Sequence, residues 1–589
     1  VRLPIITMLI IILLSGCQLT ETQSTLNDEQ VALAKIIELD WEIKLHHNPR
    51  TTPSKLLKKN NYQLKNMSPV ALEDEYQQKK MLLQQLQKIN TKQLNDQDKI
   101  NYEILIYQLK NSIDLYRYNA HYQPINSEGG FYSYLANAAD KSFKSEQDYQ
   151  NYLTYLSSIP RYFKQQQYWL KQGLKSKNTP PQAVLIGIDN SIAAFIKPYQ
   201  QSEFYQPFTH FSNNISQQQR QKLSQQAKQI ISTQINPAYQ QLFVFMRDNY
   251  IPNARTTIAA NELPNGIAFY QNRVKHYTTL ALSTDEIHQL GLAEVKRIKN
   301  EMHQIINDLK FEGTFADFLQ FLRTSPQFYA QTPDELLKQA AYISKQADAA
   351  LPKLFGKLPR TPYGVSPVPA QIAPKYTTGR YSGSNDDSQP GYYWVNTYAL
   401  NKRPLYVLEA LTLHEAVPGH HLQISLTKEL TSLPNFRRYS YISAFGEGWG
   451  LYSEYLGIEA GFYQNPYSNF GRLTYEMWRA IRLVVDTGVH TKGWSRQQAI
   501  DYMAQNTALS MHNVTTEVDR YISWPAQALS YKIGELTIKR LRNKAEQQLQ
   551  DKFDIREFHD AILANGSVPL PILEQQINQY IKQKIQSQS

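Results

Sequence analysis

The sequence predicts a mainly α-helical protein with one small β element, and three observations carry that reading. Apolar residues recur at three- and four-residue intervals through most of residues 29 to 350, the period of an amphipathic helix. Pro or Gly clusters separate these runs, as helix stops and starts require. A single aromatic and β-branched stretch, Tyr392 to Thr397, is the best strand candidate. A chain of 589 residues is too long for one small core, so two or more subdomains or one large helical body are expected.

In chain order, Arg2 is followed by an apolar run from Ile5 to Leu14 and then by Leu14-Ser15-Gly16-Cys17. The run is too short to span a bilayer but suits a secretory signal, and the small residues before Cys17 suit cleavage there. Residues 1–16 are therefore read as a lipoprotein signal peptide. Cys17 is the only cysteine and cannot form an internal disulfide, so it is read as the site of lipid attachment. Residues 17–28 are polar and suit a tether. The N-terminal helical region, 29–350, holds periodic segments at Val31–Trp41, Tyr76–Ile89, Lys99–Leu115, Gln147–Leu174, Gln217–Asp248 and Thr284–Leu309. Residues 351–589 form the second region. It begins with a Pro-, Gly- and Ser-rich stretch, 358–391, whose lack of periodicity predicts a long loop. The strand at Tyr392 follows, and Pro404 then opens a helix that runs to His414. Such a strand could pair with an extended peptide, which makes Tyr393 and Asn396 candidate substrate contacts; an ordinary sheet edge is the alternative.

The formal charge of +11 falls only to +10 when residues 1–16, which hold Arg2 and no other charged side chain, are removed. With no dense basic block and no nucleic-acid module, this excludes nucleic acid as the expected partner.

Residues 414 to 421 read HEAVPGHH, and Glu447 follows in GEGWGLYSE. Two histidines, an adjacent Glu and a distant Glu are the donor set of a zinc site with three protein ligands and one open position. The spacing departs from HExxH, where the second histidine sits at i+4. Here i+4 is Pro418, and the next histidines are His420 and His421. In an unbroken helix His414 and His421 would lie about 10.5 Å apart along the axis. That is too far for two ligands at about 2.1 Å from one ion. Pro418 removes a helix donor and Gly419 relaxes the backbone, so a bulge could bring a later histidine back to His414; either the helix is distorted there or this is no metal site. Glu415 is the expected general base. Glu447 is the preferred third ligand. Glu454 lies seven residues on, on the same helix face, and is expected to bond a ligand histidine from behind.

The segments HEAVPGHHLQ, GEGWGLYSEYLG, VVDTGVHTKGWSRQQAIDYM and RYISWPAQALSYKIG resemble the bacterial family of unknown function numbered 885, many of whose members are lipoproteins. That family is regarded as similar to zinc peptidases of the gluzincin type. The resemblance implies a large helical zincin-like body with a deep cleft, one zinc ion, a peptide substrate, and an outer-membrane lipoprotein facing the periplasm. It also implies a metallopeptidase, a carboxypeptidase or oligopeptidase acting on short peptides. Related helical peptidases carry Gly-His at the second ligand, which favours His420 over His421 as ligand and leaves His421 either to support a ligand from behind or to face substrate. Tyr531 in SYKIG resembles the oxyanion-donating tyrosine of such enzymes. His490 is a second candidate donor, with Asp486 four residues before it to orient the ring, and Arg520 could bind a substrate carboxylate; each could instead be a buried structural partner. Two other functions share these features: hydrolysis of a cell-wall peptide or acyl-amino acid, and a non-catalytic binding lipoprotein that retains the fold.

Overall fold

The computed structural model describes residues 26–48, 62–370, 372–384 and 389–586. The signal, Cys17 and most of the tether lie outside these residues. The described chain is 70% helix and 4% strand, so helices build the body and the strands serve local purposes.

Helix starts follow from short-range chemistry. α1 (Asp28–His47) is capped by Asn27, α2 (Pro69–Leu86) has Pro in its first turn, and α3 (Asp96–Arg117) is capped by Asn95. The hairpin β1 (Ile125–Asn126) and β2 (Gly129–Gly130) follows. The predicted helix 147–174 is two helices, α4 (Glu146–Ser157) and α5 (Ile159–Ser176). Pro160 explains the break, because it lacks an N–H and is tolerated only in a first turn. The run beginning at α6 (Gln217–Ile230) continues to Asn253 through π turns at Ile231–Ile235 and Met246–Tyr250, each followed closely by a proline, Pro237 and Pro252.

The core does not divide at residue 350. One apolar core takes α1 to α3 together with α7 (Gly266–Thr278), α8 (Thr284–Asp308), α9 (Pro333–Leu354) and the C-terminal helices. A second core is built from residues between Leu64 and Ala254, on α4, α5, the segments between Ile125 and Ile215 and the run from α6 to Asn253. The N-terminal region is thus shared between two packing units, and periodicity alone could not assign its helices to one or the other.

The 358–391 stretch is not one long loop. It contributes β3 (Tyr363–Pro367) and β4 (Gly379–Ser382), which flank β5 (Gly391–Val395) in a three-stranded sheet of order β3-β5-β4. β3 runs parallel to β5 and β4 antiparallel, with Tyr381 opposite Tyr393. The strand predicted at 392–397 is therefore central. Both its edges are paired and neither can accept a peptide. The open edge facing the helices belongs to β4.

After the sheet come α10 (Leu408–Glu415), α11 (His420–Glu429), α12 (Ser443–Leu456), α13 (Pro466–Thr491), α14 (Met511–Ser523) and α15 (Ser530–Leu549). α13 is buried from Phe470 through His490, although it carries several charges. Buried charges need partners. Glu476 meets Arg297 of α8, Arg472 at 3.2 Å and Lys532 of α15 at 2.9 Å, and Lys532 also reaches Glu294 and Glu535. This network ties α8, α13 and α15 behind the site. α12 and α15 meet through glycines: a Cβ on Gly448 would lie 2.5 Å from the Cα of Gly534.

Candidate metal centre

The HEAVPGHH segment is two helices with a turn between them. α10 ends at Glu415, where Ala416 leaves helical geometry at φ −91° and ψ −108°, and α11 starts at His420. The Val417–Pro418 peptide between them is cis. The turn is held at both sides: the Ala416 carbonyl accepts from the His421 amide at 3.0 Å, and Trp449 Nε1 donates to the Pro418 carbonyl at 2.8 Å. Gly419 passes so close to α10 that a Cβ there would stand 1.9 Å from the His414 carbonyl oxygen. The inserted residues thus fold the chain back, and the rings of His414 and His420 stand 4.7 Å apart at 88°. His421 turns the other way. Its Nδ1 is hydrogen-bonded with the Tyr381 hydroxyl at 3.0 Å and its ring lies 4.6 Å from that of Tyr363.

α12 supplies two carboxylates from one face. Glu447 Oε2 lies 3.4 Å from His420 Nε2 and 3.7 Å from His414 Nε2, and the ligand atoms of the three residues all fall within 4.8 Å of one another. Tetrahedral ligands about 2.1 Å from one ion stand about 3.4 Å apart, so two of these separations match a zinc site closely. Glu454 accepts from Nδ1–H of His414 at 2.8 Å and is itself gripped by Arg479 at 3.1 Å. That bond fixes the tautomer and aims Nε2 at Glu447. The donor set therefore fits zinc. Burial would lower the His414 pKa, but the Glu447 and Glu454 carboxylates outweigh it and raise it to about 9. Burial likewise works against the Glu447 charge, and the two histidines still hold its carboxyl well below the usual range.

A cavity of about 420 Å³ opens on this cluster. Glu415 lines it, with one carboxylate oxygen accepting from the Tyr381 amide of β4 at 2.7 Å. Tyr531 lines it too, its ring 6.3 Å from that of His414 and nearly parallel, with the Arg482 guanidinium 4.1 Å from the centre of its ring. Tyr441 forms another wall, edge-on to His420 at 6.2 Å. Arg380, Arg479, Arg482, Glu517, Trp478 and Trp524 complete much of the lining.

Several sequence-predicted contacts lie elsewhere. Tyr393 is fully buried, its hydroxyl accepting from Thr412. Asn396 spends its amide on the carbonyls of Ala373, Tyr376 and Thr377, clamping the approach to β4. His421 is absent from the cavity wall for the reason given above. His490 is not a donor to substrate: Ala260 N–H donates to its Nδ1 at 2.9 Å, and its Nε2–H donates to the Tyr521 carbonyl at 3.0 Å. Asp486 does not orient that ring. It accepts from the Tyr270 hydroxyl at 2.6 Å and from the amide of Ala526, a non-glycine residue at φ +67°. Asp486 thereby shapes the turn that carries Gln527 into the cavity wall. Arg520 does line the cavity, but Gln527 at 2.9 Å, Glu128 at 3.5 Å and Glu517 at 3.7 Å already surround its guanidinium.

Arg380, Tyr381 and Tyr441 were not foreseen. The first two stand on a four-residue strand, too short to show a period; Tyr441 sits in a connection with no motif. The glycines of GEGWG were a usable signal, since Gly446 makes room for Tyr441 and Gly450 for the His414 ring.

The buried histidines give a pH prediction. Burial lowers His421 and His490 to about 4 and His559 to about 3, so all three are neutral in the fold. Their folded pKa values lie below the unfolded value near 6.5, so the unfolded chain binds more protons between about 6.5 and 4. Stability is complete at neutral pH and falls as pH drops through that window. His414 acts in the opposite sense, its contribution lost only as pH rises through about 9. Urea unfolding at pH 5 should therefore show a lower midpoint than at pH 7.5, with about 2 kcal/mol attributable to a group such as His490. Equal midpoints would refute the neutral-histidine account.

Comparison with known proteins accords with the helical architecture. The model of a bacterial family of unknown function, DUF885, matches residues 53–577. A crystal structure described as "the putative lipoprotein from Colwellia psychrerythraea" is 27% identical, with 95% of this chain and 100% of that chain covered at a TM-score of 0.84. A second, "a putative lipoprotein of unknown function from Shewanella oneidensis", is 17% identical, with 92% and 99% covered at a TM-score of 0.69, which is a likeness of fold. No curated protein matches the chain. With the family match running from the end of α1 to the last helix, the chain belongs to the DUF885 family of bacterial proteins of unknown function.

Proposed function

We propose that this protein is a zinc-dependent peptidase of zincin-like type that acts on short peptides. The observation that carries the reading is the convergence of His414, His420 and Glu447 on one point beside Glu415, achieved only because two extra residues fold the chain back. A zinc ion held there would supply a Lewis acid that polarises a carbonyl and makes water acidic. Glu415 takes the proton from the attacking water and returns it to the leaving amine; the Tyr381 amide fixes one of its oxygens and leaves the other for the proton. Tyr531 and Tyr441 offer hydroxyls to the oxyanion. The outward edge of β4 gives an extended substrate the Tyr381 carbonyl and the Gly379 backbone to pair with, the Tyr381 amide being held by Glu415. The cavity volume suits a short substrate, and the same machinery would serve an acyl-amino acid. Metal analysis joined to a peptide-library digest of wild type and Glu415→Gln tests the reading. Bound zinc with no Glu415-dependent cleavage would overturn it.

The protein works, in this reading, as a lipoprotein tethered through Cys17 to the outer membrane and facing the periplasm. The support is the Leu14-Ser15-Gly16-Cys17 sequence and the description of its 27% identical relative. No helix among the described residues is long and apolar enough to cross a membrane. Cys17→Ser should move the protein from the membrane fraction to the soluble one in its native host. Unchanged fractionation would exclude the anchor.

A further inference from the structure

We infer that the cavity has a second pole, an arginine cluster that takes a carboxylate carried by the substrate close to the scissile bond. The inference rests on the peptidase reading for what lies at the metal end. The arginine end stands on its own observations.

Three guanidiniums line the side of the cavity beyond Tyr531: Arg380 on β4, Arg482 on α13 and Arg520 on α14. Glu517 and Glu128 serve them. Glu517 is shared by Arg482 at 3.0 Å and Arg520 at 3.7 Å, and Glu128 reaches Arg520 at 3.5 Å from the β1–β2 hairpin. Arg380 stacks on the Tyr376 ring at 5.2 Å, and among the described residues no carboxylate stands within ion-pairing distance of it. The Arg482 side chain is 2% exposed. Its Nε donates to the Tyr521 hydroxyl and its Nη2 to Glu517, but its Nη1 has no hydrogen-bond partner. Arg520 Nε is buried without a hydrogen bond, although it faces Glu128 Oε1 at 3.5 Å. Three cations thus share two anions in a place screened from water. A buried guanidinium left with unused N–H groups is costly unless an anion completes it.

Position fixes what that anion can be. Tyr531 packs near both the His414 ring, 6.3 Å away, and the Arg482 guanidinium, 4.1 Å away, so the guanidinium is within about 10 Å of the ring, the span of at most about three extended residues. The partner is therefore a carboxylate on a short substrate: the C-terminal carboxylate, or an Asp or Glu side chain at the end of the peptide. Glu415, Glu447 and Glu454 surround the metal end, so the cavity is polarised, anionic where the scissile bond sits and cationic where the substrate ends.

The test is calorimetric binding to zinc-loaded full-length Glu415→Gln protein, which cannot turn the ligands over. Three N-acetylated tripeptides are compared: an apolar one with a free C-terminus, its C-terminal amide, and an amide ending in Glu. The free acid should bind about 10- to 100-fold more tightly than the apolar amide, the range of a charged hydrogen bond in a buried site. Adding Arg380→Gln should reduce that preference to about twofold or less with the melting temperature unchanged, and Arg380→Lys should restore part of it. The Glu-ended amide identifies the carboxylate: tight binding of it without tight binding of the apolar acid assigns a side chain, the reverse assigns the terminus, and tight binding of both shows that the cluster takes either. Equal binding of all three peptides, or a preference for a carboxylate untouched by Arg380→Gln, would overturn the proposal. Wild-type turnover of the same peptides separates the two readings. Acid preference without any hydrolysis removes the peptidase and keeps the subsite; hydrolysis of acids and amides alike removes the subsite and keeps the peptidase.

Discussion

On the proposed peptidase function, replacing Glu415 with glutamine should lower peptide turnover about 10²- to 10⁴-fold while zinc content stays that of the wild type. The expectation is specific because the substitution spares everything else Glu415 does. Its carboxylate oxygen accepts the Tyr381 amide at 2.7 Å, and a glutamine carbonyl can accept the same bond, so β4 keeps its place against α10. The three proposed ligands are untouched, and Glu415 is not among them. What is lost is a group able to take and return a proton. The measurement is kcat on a cleaved peptide together with metal analysis and a melting curve. A variant that keeps zinc and stability but retains more than a tenth of the wild-type rate would remove Glu415 from the chemistry. One that loses zinc as well would show that the carboxylate is part of the metal site.

The parts of the site readable from sequence were those carried by local spacing. His414, Glu415, Glu447 and Glu454 sit on two short helices, where residue intervals translate directly into faces. Glu454 could be placed behind a ligand histidine because seven residues return a side chain to the same face, and it meets His414 Nδ1 at 2.8 Å. The Pro418-Gly419 pair allows a bulge without excluding a straight helix, and the turn it makes is complete, with α11 starting afresh at His420. What escaped was decided by pairing between distant segments. Tyr392 to Thr397 reads as a strand from its own residues, but nothing in those residues says that β3 and β4 would cover both edges. Asp486 and His490 do share a face of α13. That helix is buried on every side, so the same interval left open whether each faces the other, the cavity or a neighbouring backbone. Arg380 and Tyr381 had no local signal at all, because four residues of an edge strand leave two on each face.

Gly450→Ala should cost zinc affinity about 10- to 100-fold without altering any ligand, the range found when groups supporting a metal site are removed. A Cβ built on Gly450 lies 2.7 Å from Cε1, 2.8 Å from Nε2 and 3.0 Å from Nδ1 of His414, closer than carbon packs against a ring. The ring has little room to yield. Glu454 holds Nδ1, the His420 ring stands across it at 4.7 Å, and Tyr531 lies along it at 6.3 Å. Either His414 tilts and its Nε2 leaves the point shared with His420 and Glu447, or α12 shifts and carries Glu447 away. Both routes open the cluster. Gly448→Ala separates this effect from a general loosening of α12. Its Cβ would meet the Gly534 backbone on α15 and not the histidine, so it should lower the melting temperature while zinc titration of the folded protein gives the wild-type affinity. Competition of each variant against a chromophoric chelator gives the affinity, and calorimetric melting gives the stability. Unchanged zinc binding in Gly450→Ala would mean that His414 is not a ligand, and the metal centre would have to be assigned without it.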